Sequence, residues 1–429
     1  MPIKLNLTVI IPMLSLAAGV LLLIIMPPPL TAIECFAAAI TIFVISFWAT
    51  AIIPEYLTAL FFFLIASLLA VSPPVVIFSG FSSTALWLIF GGLVIAEGIT
   101  GTGLGNRIAH SILTHLTGSY LRLIVGVSAA GLLFAFLMPG AIGRVILLMP
   151  IVSAITDRVG FNKGSNGRTG IMLAAIFGTI LPAFTVLPAN VPNMIFAGMS
   201  ETHFQITIRY GEYLWLHFPV LGLLKAVLIV VLILWLFPDR SKAIGQKCPL
   251  DTGPISKNEK ILFIILLVMI TLWMTDFIHH ISPAWIALGG ALLLMLPKIN
   301  IVSQQQFSSN INFNILFFAA ALVGLGRMVH HSGLGETLAN HLIMLLPLDE
   351  SQPFINYMLL SLVSTLTGIA VTVAGIPAVF TPFCEKLSLL SGFPLKTVLM
   401  TQVLGFSTIL LPYQLAPIVV GMQMSGEKL

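Results

Sequence analysis

Charge is the scarcest thing in this sequence. Asp, Glu, Lys and Arg make up 8% of its 429 residues, about a third of what a soluble domain carries. That excludes an ordinary soluble fold, a solvated disordered chain and a basic nucleic-acid-binding surface. Cysteine is nearly absent as well: Cys35, Cys248 and Cys384 stand far apart with no CxxC spacing. This excludes a disulfide framework and a cysteine-based zinc site. Also missing is the strict polar–apolar alternation that marks an outer-membrane barrel. What the chain has is apolar sequence, 58% of the whole, in runs long enough to cross a bilayer. It reads as an all-α, polytopic membrane protein. The net charge of +4 is small and is expected to report orientation; the partner is the lipid bilayer and not nucleic acid.

Spans are expected near 7–26, 33–53, 57–72, 85–106, 170–200, 212–237, 259–279, 283–297, 312–329 and 397–424. The first reads as a span and not a cleaved leader, because no small-residue cleavage site follows it. Two further apolar segments, 121–158 and 354–391, are each interrupted midway by Pro or Gly. They are too long for one span and too short for two ordinary spans with a loop. They read as re-entrant helical hairpins, whose non-helical tips survive at membrane depth only when buried in protein or lining a cavity. The basic connections are 157–168 (Arg158, Lys163, Arg168) and 238–260 (Arg240, Lys242, Lys247, Lys257, Lys260). Placing both in the cytoplasm puts the N-terminus and Lys298 there too, with Arg209 the exception outside. The compact loops point to a bacterial inner membrane.

The chain repeats itself. "TGLGNRIAHSIL" (102–113) resembles "SGLGETLANHLI" (332–343), and "GAIGRVILLMPIVSAITDRVGF" (140–161) aligns with "TVAGIPAVFTPFCEKLSLLSGF" (372–393). In the second pair Gly143, Pro150, Gly160 and Phe161 fall on Gly375, Pro382, Gly392 and Phe393. "FWATAIIPEYLTAL" (47–60) has a looser echo in "LWMTDFIHHISPAWIAL" (272–288), and "LPANVP" (187–192) in "LPYQLAP" (411–417). Matches in one order at nearly constant spacing imply a duplication. The predicted topology inverts one copy relative to the other, an architecture common among secondary transporters. The expected organisation is scaffold spans over 1–72 and a first repeat over 73–210, with hairpin 121–158 and broken helix 170–200. A connecting span and cytoplasmic loop follow over 211–258. The second repeat covers 259–429, with hairpin 354–391 and broken helix 397–424.

Each repeat therefore supplies a hairpin tip, Met138 to Gly143 or Thr372 to Pro377. Each also supplies a helix broken at a proline-rich stretch, 181–193 or 407–417. Exposed helix N-termini offer N–H groups and partial positive charge to anions, and freed carbonyls can coordinate cations. Arg144 stands at the start of the first hairpin's second helix, where a buried charge is expensive unless it has a role. Direct substrate contact is one role; an internal ion pair with Glu97, the acidic residue within a neighbouring span, is another, and snorkelling to water a third. Arg327 reads as a snorkelling anchor near a span end, while Lys225 lies inside the 212–237 segment and is harder to assign. The pairs His279–His280 and His330–His331 fall in predicted external loops and read as incidental more readily than as metal ligands. Glu55 and Asp276 follow span ends and are expected to meet water. Trp48, Trp87, Trp215 and Trp273 are expected at interfaces or in helix packing.

These residues carry a resemblance. "FWATAIIPEYLTALFFFLIASLLAVSP", "FSGFSSTALWLIFGGLVIAEGITGTGLGNRIA", the first hairpin and "LPANVPNMIFAG" are similar, in collinear order, to the divalent anion/sodium symporter family. The resemblance implies transport of a small anion of the dicarboxylate, citrate or sulfate class. It also implies two inverted repeats, a dimerising scaffold, an elevator-like transport part and sodium as coupling ion. No other cofactor and no enzymatic activity are implied. The substrate set it implies is Gly140, Ala141, Ile142, Gly143, Arg144, Pro188, Asn190 and Asn193, with Thr372, Val373, Ala374, Gly375, Pro412 and Gln414. Sodium would lie near Gly140, Ala141, Thr185, Thr372 and Ala374. Asn193, in "PANVPN", belongs to the element beside the first cation site.

The sequence departs from the family at both tips. The family's Ser-Asn-Thr signature stands ten residues ahead of the hairpin proline. Here those positions hold Gly140, Ala141 and Ile142, and Thr372, Val373 and Ala374. Only Thr372 keeps a side-chain oxygen. Arg144 could replace lost substrate contacts, and a fixed positive charge could stand in for a bound cation. The chain also stops just after its last broken helix, where the family has one more span. Two other readings are a sodium/proton antiporter, which would want a buried carboxylate near the breaks, and a non-transporting membrane subunit. A membrane enzyme would need His with Asp or Glu at helical spacing, which His331 and Glu336 do not supply.

Overall fold

In a computed structural model the described residues are 7–114, 119–239, 253–343 and 346–427, and every regular element among them is helical. Arg240, Lys242, Lys247 and Cys248 lie outside the described residues. Five expected spans are single helices: Leu7–Ile25, Ala32–Thr50, Glu55–Leu68, Pro283–Met295 and Asn314–His331. The others have internal breaks with local causes. Pro219 sits in a π-helical turn (Phe218–Leu224) joining Tyr210–His217 to Lys225–Leu236, as expected where a residue cannot donate to the helical ladder. Lys257–Met274 gives way to a single turn, Asp276–His279.

Segment 85–106 is two helices, Thr84–Thr102 and Leu104–Thr114, meeting at Gly103. The corresponding junction in the second half joins Asn314–His331 to Leu334–Ile343 at Gly333. Both glycines have positive φ, +79° and +84°, a conformation that a Cβ disfavours. Gly160 and Gly392, also aligned in the sequence, repeat the pattern at +86° and +68°.

The proline-rich stretches break their helices as expected. Asn166–Ile180 passes through 3₁₀ turns at Pro182–Thr185 and Leu187–Ala189 before Val191–Phe204 begins. Leu395–Ser407 passes through Pro412–Gln414 before Ala416–Ser425. Segment 121–158 is a pair of 18-residue helices, Tyr120–Leu137 and Ala141–Arg158, so the tip is three residues, Met138–Gly140. Ala141, Ile142 and Gly143 are helical rather than part of the tip. Segment 354–391 holds Pro353–Ala370, a 3₁₀ turn at Val373–Gly375, then Ile376–Phe380, Thr381–Phe383 and Cys384–Ser391.

The chain divides into two interleaved units, one of residues 1–86, 194–208 and 312–414, the other of 87–193, 209–311 and 415–429. The second unit is built around Asn166–Ile180, which packs on both helices of the first hairpin and on Ala416–Ser425. Small residues let backbones touch there, the usual route to close packing in lipid: a Cβ on Gly178 would lie 2.7 Å from Ser128 Cα. The first unit is built around Asn314–His331, packed on Glu55–Leu68 and Ala32–Thr50. Within it Pro353–Ala370 crosses Leu395–Ser407 at the same kind of contact, a Cβ on Gly405 lying 2.8 Å from the Ser364 carbonyl carbon. Phe196 and Phe406 meet beside it with ring centroids 6.0 Å apart.

Asp276 is buried, contrary to expectation. The chain turns back after Met274, and the carboxylate accepts from the backbone N–H of Tyr210 at 2.5 Å, where the helix from Tyr210 has no other side-chain cap. Trp273 is also buried, stacked on Tyr210 with centroids 5.7 Å apart, whereas Trp215 is exposed. Arg168 is drawn inward into ion pairs with Asp157 and with Glu427, the latter at 2.8 Å.

Candidate functional site

Ser119 and Ser165 cap the helices that start at Tyr120 and Asn166, accepting from Arg122 and Arg168 N–H. The helix from Ala141 has no such partner: its N-cap is Gly140, φ +91°, with no side-chain hydrogen bond. Uncapped N–H groups at the start of an 18-residue helix carry the positive end of its dipole. Gly140 itself is tied down, its N–H donating to the carbonyl of Ala189 in the break at 3.1 Å.

Arg144 is the fourth residue of that helix and has no exposed surface. Helical side chains lean towards the N-terminus, so the guanidinium reaches back over the tip. Nη1 donates to the carbonyls of Met138 (2.9 Å) and Ala189 (2.8 Å), and Nη2 to Oδ1 of Asn190 (3.0 Å). The arginine thus joins the hairpin tip to the break of the neighbouring helix. Glu97 is not its partner; that carboxylate accepts from Asn310 Nδ2 at 2.9 Å instead. The physical reason is that helix breaks free enough carbonyls to satisfy a guanidinium without a counter-ion. Arg144 Nε and Asn190 Nδ2, both buried, keep no protein partner. These leftover donors suit an anion.

Other freed carbonyls of the first break are also in use. Asn193 Nδ2 donates to those of Phe184 (3.2 Å) and Val186 (2.9 Å), and the Tyr213 hydroxyl donates to Phe184 at 2.8 Å. Thr185 donates back to Pro182 at 2.7 Å. Among the first-half residues singled out in the sequence, Gly140, Arg144 and Asn190 are thus brought together. Pro188 is buried in the 3₁₀ turn, Asn193 is buried and bonded to Phe184 and Val186, and Ile142 is exposed.

The second half closes its joint with neutral groups. Oε1 of Gln414 accepts from the N–H groups of Leu410 (2.8 Å) and Leu411 (2.7 Å), and Nε2 donates to the carbonyl of Gly368. The Tyr413 hydroxyl donates to Ile369 at 2.7 Å. Thr372, Val373, Ala374 and Gly375 form the turn, with Val373 and Gly375 buried; Pro412 is exposed. Thr372 and Gly375 line a shallow hollow whose other walls include Trp48, Leu322, Leu325 and Val379. Tyr213 and Tyr413 were not singled out in the sequence. The signal that could have found them is the need for donors where helices end: Tyr213 donates into the first break, and Tyr413, itself in the second, donates to the neighbouring helix end.

Residues 5–426 match the family described as the sodium:sulfate symporter transmembrane region. The chain belongs to this family. A Cupriavidus necator relative, described only as a membrane protein, is 25% identical over 343 residues, covering 77% of this chain and 66% of its own length. The L-tartrate/succinate antiporter of Escherichia coli is 26% identical over 286 residues, 62% of this chain and 57% of its own. The chain therefore spans less than two-thirds of the length of these relatives. Among solved structures, the YdaH transporter of Alcanivorax borkumensis, described as having an unusual topology, covers 97% of this chain and is itself covered to 90%. The TM-score is 0.50 at 15% identity, a likeness of fold alone.

Whether sodium fits this chain can be judged from the residues where the family resemblance would put it. At the first tip the convergent oxygens already accept from Arg144, and the Thr185 hydroxyl is turned to its own chain. At the second, Thr372 brings one hydroxyl to a largely apolar hollow. The buried Asn193 Oδ1 is left without a partner among the described residues, but a single free oxygen is not a cage for an alkali cation.

Proposed function

We propose that this protein is a secondary transporter for a small anion of the dicarboxylate, citrate or sulfate class, working by elevator-type alternating access as a dimer. The single observation that carries the reading is the first joint. There a fully buried arginine and Asn190 retain unpartnered donors beside the uncapped N-terminus of an 18-residue helix, an arrangement made for negative charge. Family membership supports it. The inverted-repeat architecture is supported by the paired positive-φ glycines and by the Gly178–Ser128 and Gly405–Ser364 crossings. Within this reading the two helix pairs are re-entrant hairpins and the N-terminus is cytoplasmic.

Exchange of one anion for another is a second mode. It is favoured by the neutral second joint, by the oxygens committed to Arg144, and by likeness to a relative named as an antiporter. Uptake of labelled succinate and of labelled sulfate into proteoliposomes tests both modes. Three conditions are needed: an inward sodium gradient, an inward proton gradient without sodium, and vesicles preloaded with unlabelled substrate. Uptake only into preloaded vesicles identifies an exchanger, and gradient-driven uptake a symporter. No uptake of either anion in any condition overturns the reading for this substrate class.

A further inference from the structure

The charge on Arg144 is balanced in an unusual way. Among the described residues no carboxylate forms an ion pair with it. Its Nη atoms face three neutral oxygens: two main-chain carbonyls freed by the tip and the break, and one amide oxygen. Met138 caps the C-terminal end of the helix Tyr120–Leu137, where the helix dipole favours positive charge. Neutral oxygens converging from unwound backbone at a helix C-terminus are the ligand set that coordinates sodium in broken-helix transporters. Arginine is effectively always charged, so here the cation is delivered by a covalent tether instead of from solution.

We infer that Arg144 is a built-in substitute for a coupling sodium in the first half of this protein, occupying the oxygens that a sodium ion would use. Two positive charges cannot share that dry position without strong repulsion, so the wild-type joint takes no sodium. Removing the side chain converts it into an open cage of carbonyl and amide oxygens. The consequence for coupling rests on the transport reading. Sodium binding does not, and is measured without transport.

The test is thermal unfolding of the full-length protein in detergent, in sodium chloride and in potassium chloride at equal ionic strength, for wild type, Arg144→Ala and Arg144→Lys. The wild type and the lysine variant, each with a tethered cation, are expected to unfold at the same temperature in both salts. Arg144→Ala is expected to gain a sodium-specific rise in Tm of roughly 2 °C or more, the scale that a ligand well above its Kd produces. Should the alanine variant fold poorly, recovery of monodisperse protein in sodium but not in potassium supports the inference. Equal sodium responses in wild type and Arg144→Ala overturn it. So does an alanine variant that responds to neither salt, or one that fails to fold in both. Loss of transport by wild type in every assay would sink the functional reading and leave this result standing.

Discussion

The two joints solve one problem with different chemistry. In each, a hairpin must be fastened to the unwound stretch of a broken helix, and the backbone groups released by that unwinding must find partners. The first joint uses a cation, Arg144, holding the carbonyls of Met138 and Ala189. The second uses an amide and a phenol, Gln414 and Tyr413, holding those of Gly368 and Ile369. Both joints tie a helix turn to a broken helix; their electrostatics differ. The two halves share close helix crossings and left-handed glycines while their joints differ in charge. The asymmetry of such a protein lies in a few side chains at its breaks.

The comparison is broken most sharply at the first joint. Arg144→Met strips three buried oxygens of their donor, and stability is expected to fall by about 3 kcal/mol or more, at about 1–3 kcal/mol for each buried acceptor left unmatched. A Tm in detergent equal to that of wild type would show that the arginine fastens nothing. Gln414→Leu leaves two N–H groups and one carbonyl unmatched at the second joint. A loss of about 2–3 kcal/mol is expected, below the first because no charge is involved. If Gln414→Leu proves the more damaging in the same melts, the ranking of the joints is wrong.

Smaller effects sharpen the likeness between halves. Gly178→Ala and Gly405→Ala both drive a methyl group into a helix crossing, against Ser128 and Ser364. Each is expected to cost about 1–3 kcal/mol, and the two should agree closely; a large disparity would mean the crossings are not equivalent. Smallest are Gly103→Ala and Gly333→Ala, about 1 kcal/mol apiece, for forcing an alanine into positive φ. Neither site crowds the added carbon: nothing lies within 4 Å at Gly103, and Glu34 Oε1 lies 3.6 Å away at Gly333. A loss well above 2 kcal/mol at either would point to a cause other than dihedral strain.

Much of this frame was legible before any coordinates. Long apolar runs locate helices, prolines locate the breaks, and the paired "GLG" stretches locate the turns that both halves share. Arg144 stood out because charge in such a run is costly. Its partner was not legible: Glu97 was the natural candidate because carboxylates show in a sequence. Carbonyl oxygens do not, since every residue has one, and only the folded chain tells which are set free. Asp276 was misjudged for a related reason. Its place after a span suggested water, but the chain turns back there and uses the carboxylate to cap the helix at Tyr210. The asymmetry of the joints was half visible, as the loss of a polar triplet at both tips. Gln414 was among the residues singled out, but its role as a clasp on backbone groups, and the tyrosines beside the breaks, became apparent only in three dimensions.

The interleaving of the two units also bears on how such a gene can be inherited. The border between them falls at Asn193–Met194 in one broken helix and at Gln414–Leu415 in the other. Neither unit is therefore a contiguous stretch of chain: one takes in a half-helix from mid-chain, 194–208, and the other a half-helix from the far end, 415–429. Cut the gene midway, and the front product lacks the helix Ala416–Ser425 that packs on Asn166–Ile180. The rear product lacks Phe196, the partner of Phe406. Fission would yield two incomplete proteins able to mend each other only when made together, which favours keeping both halves in one reading frame.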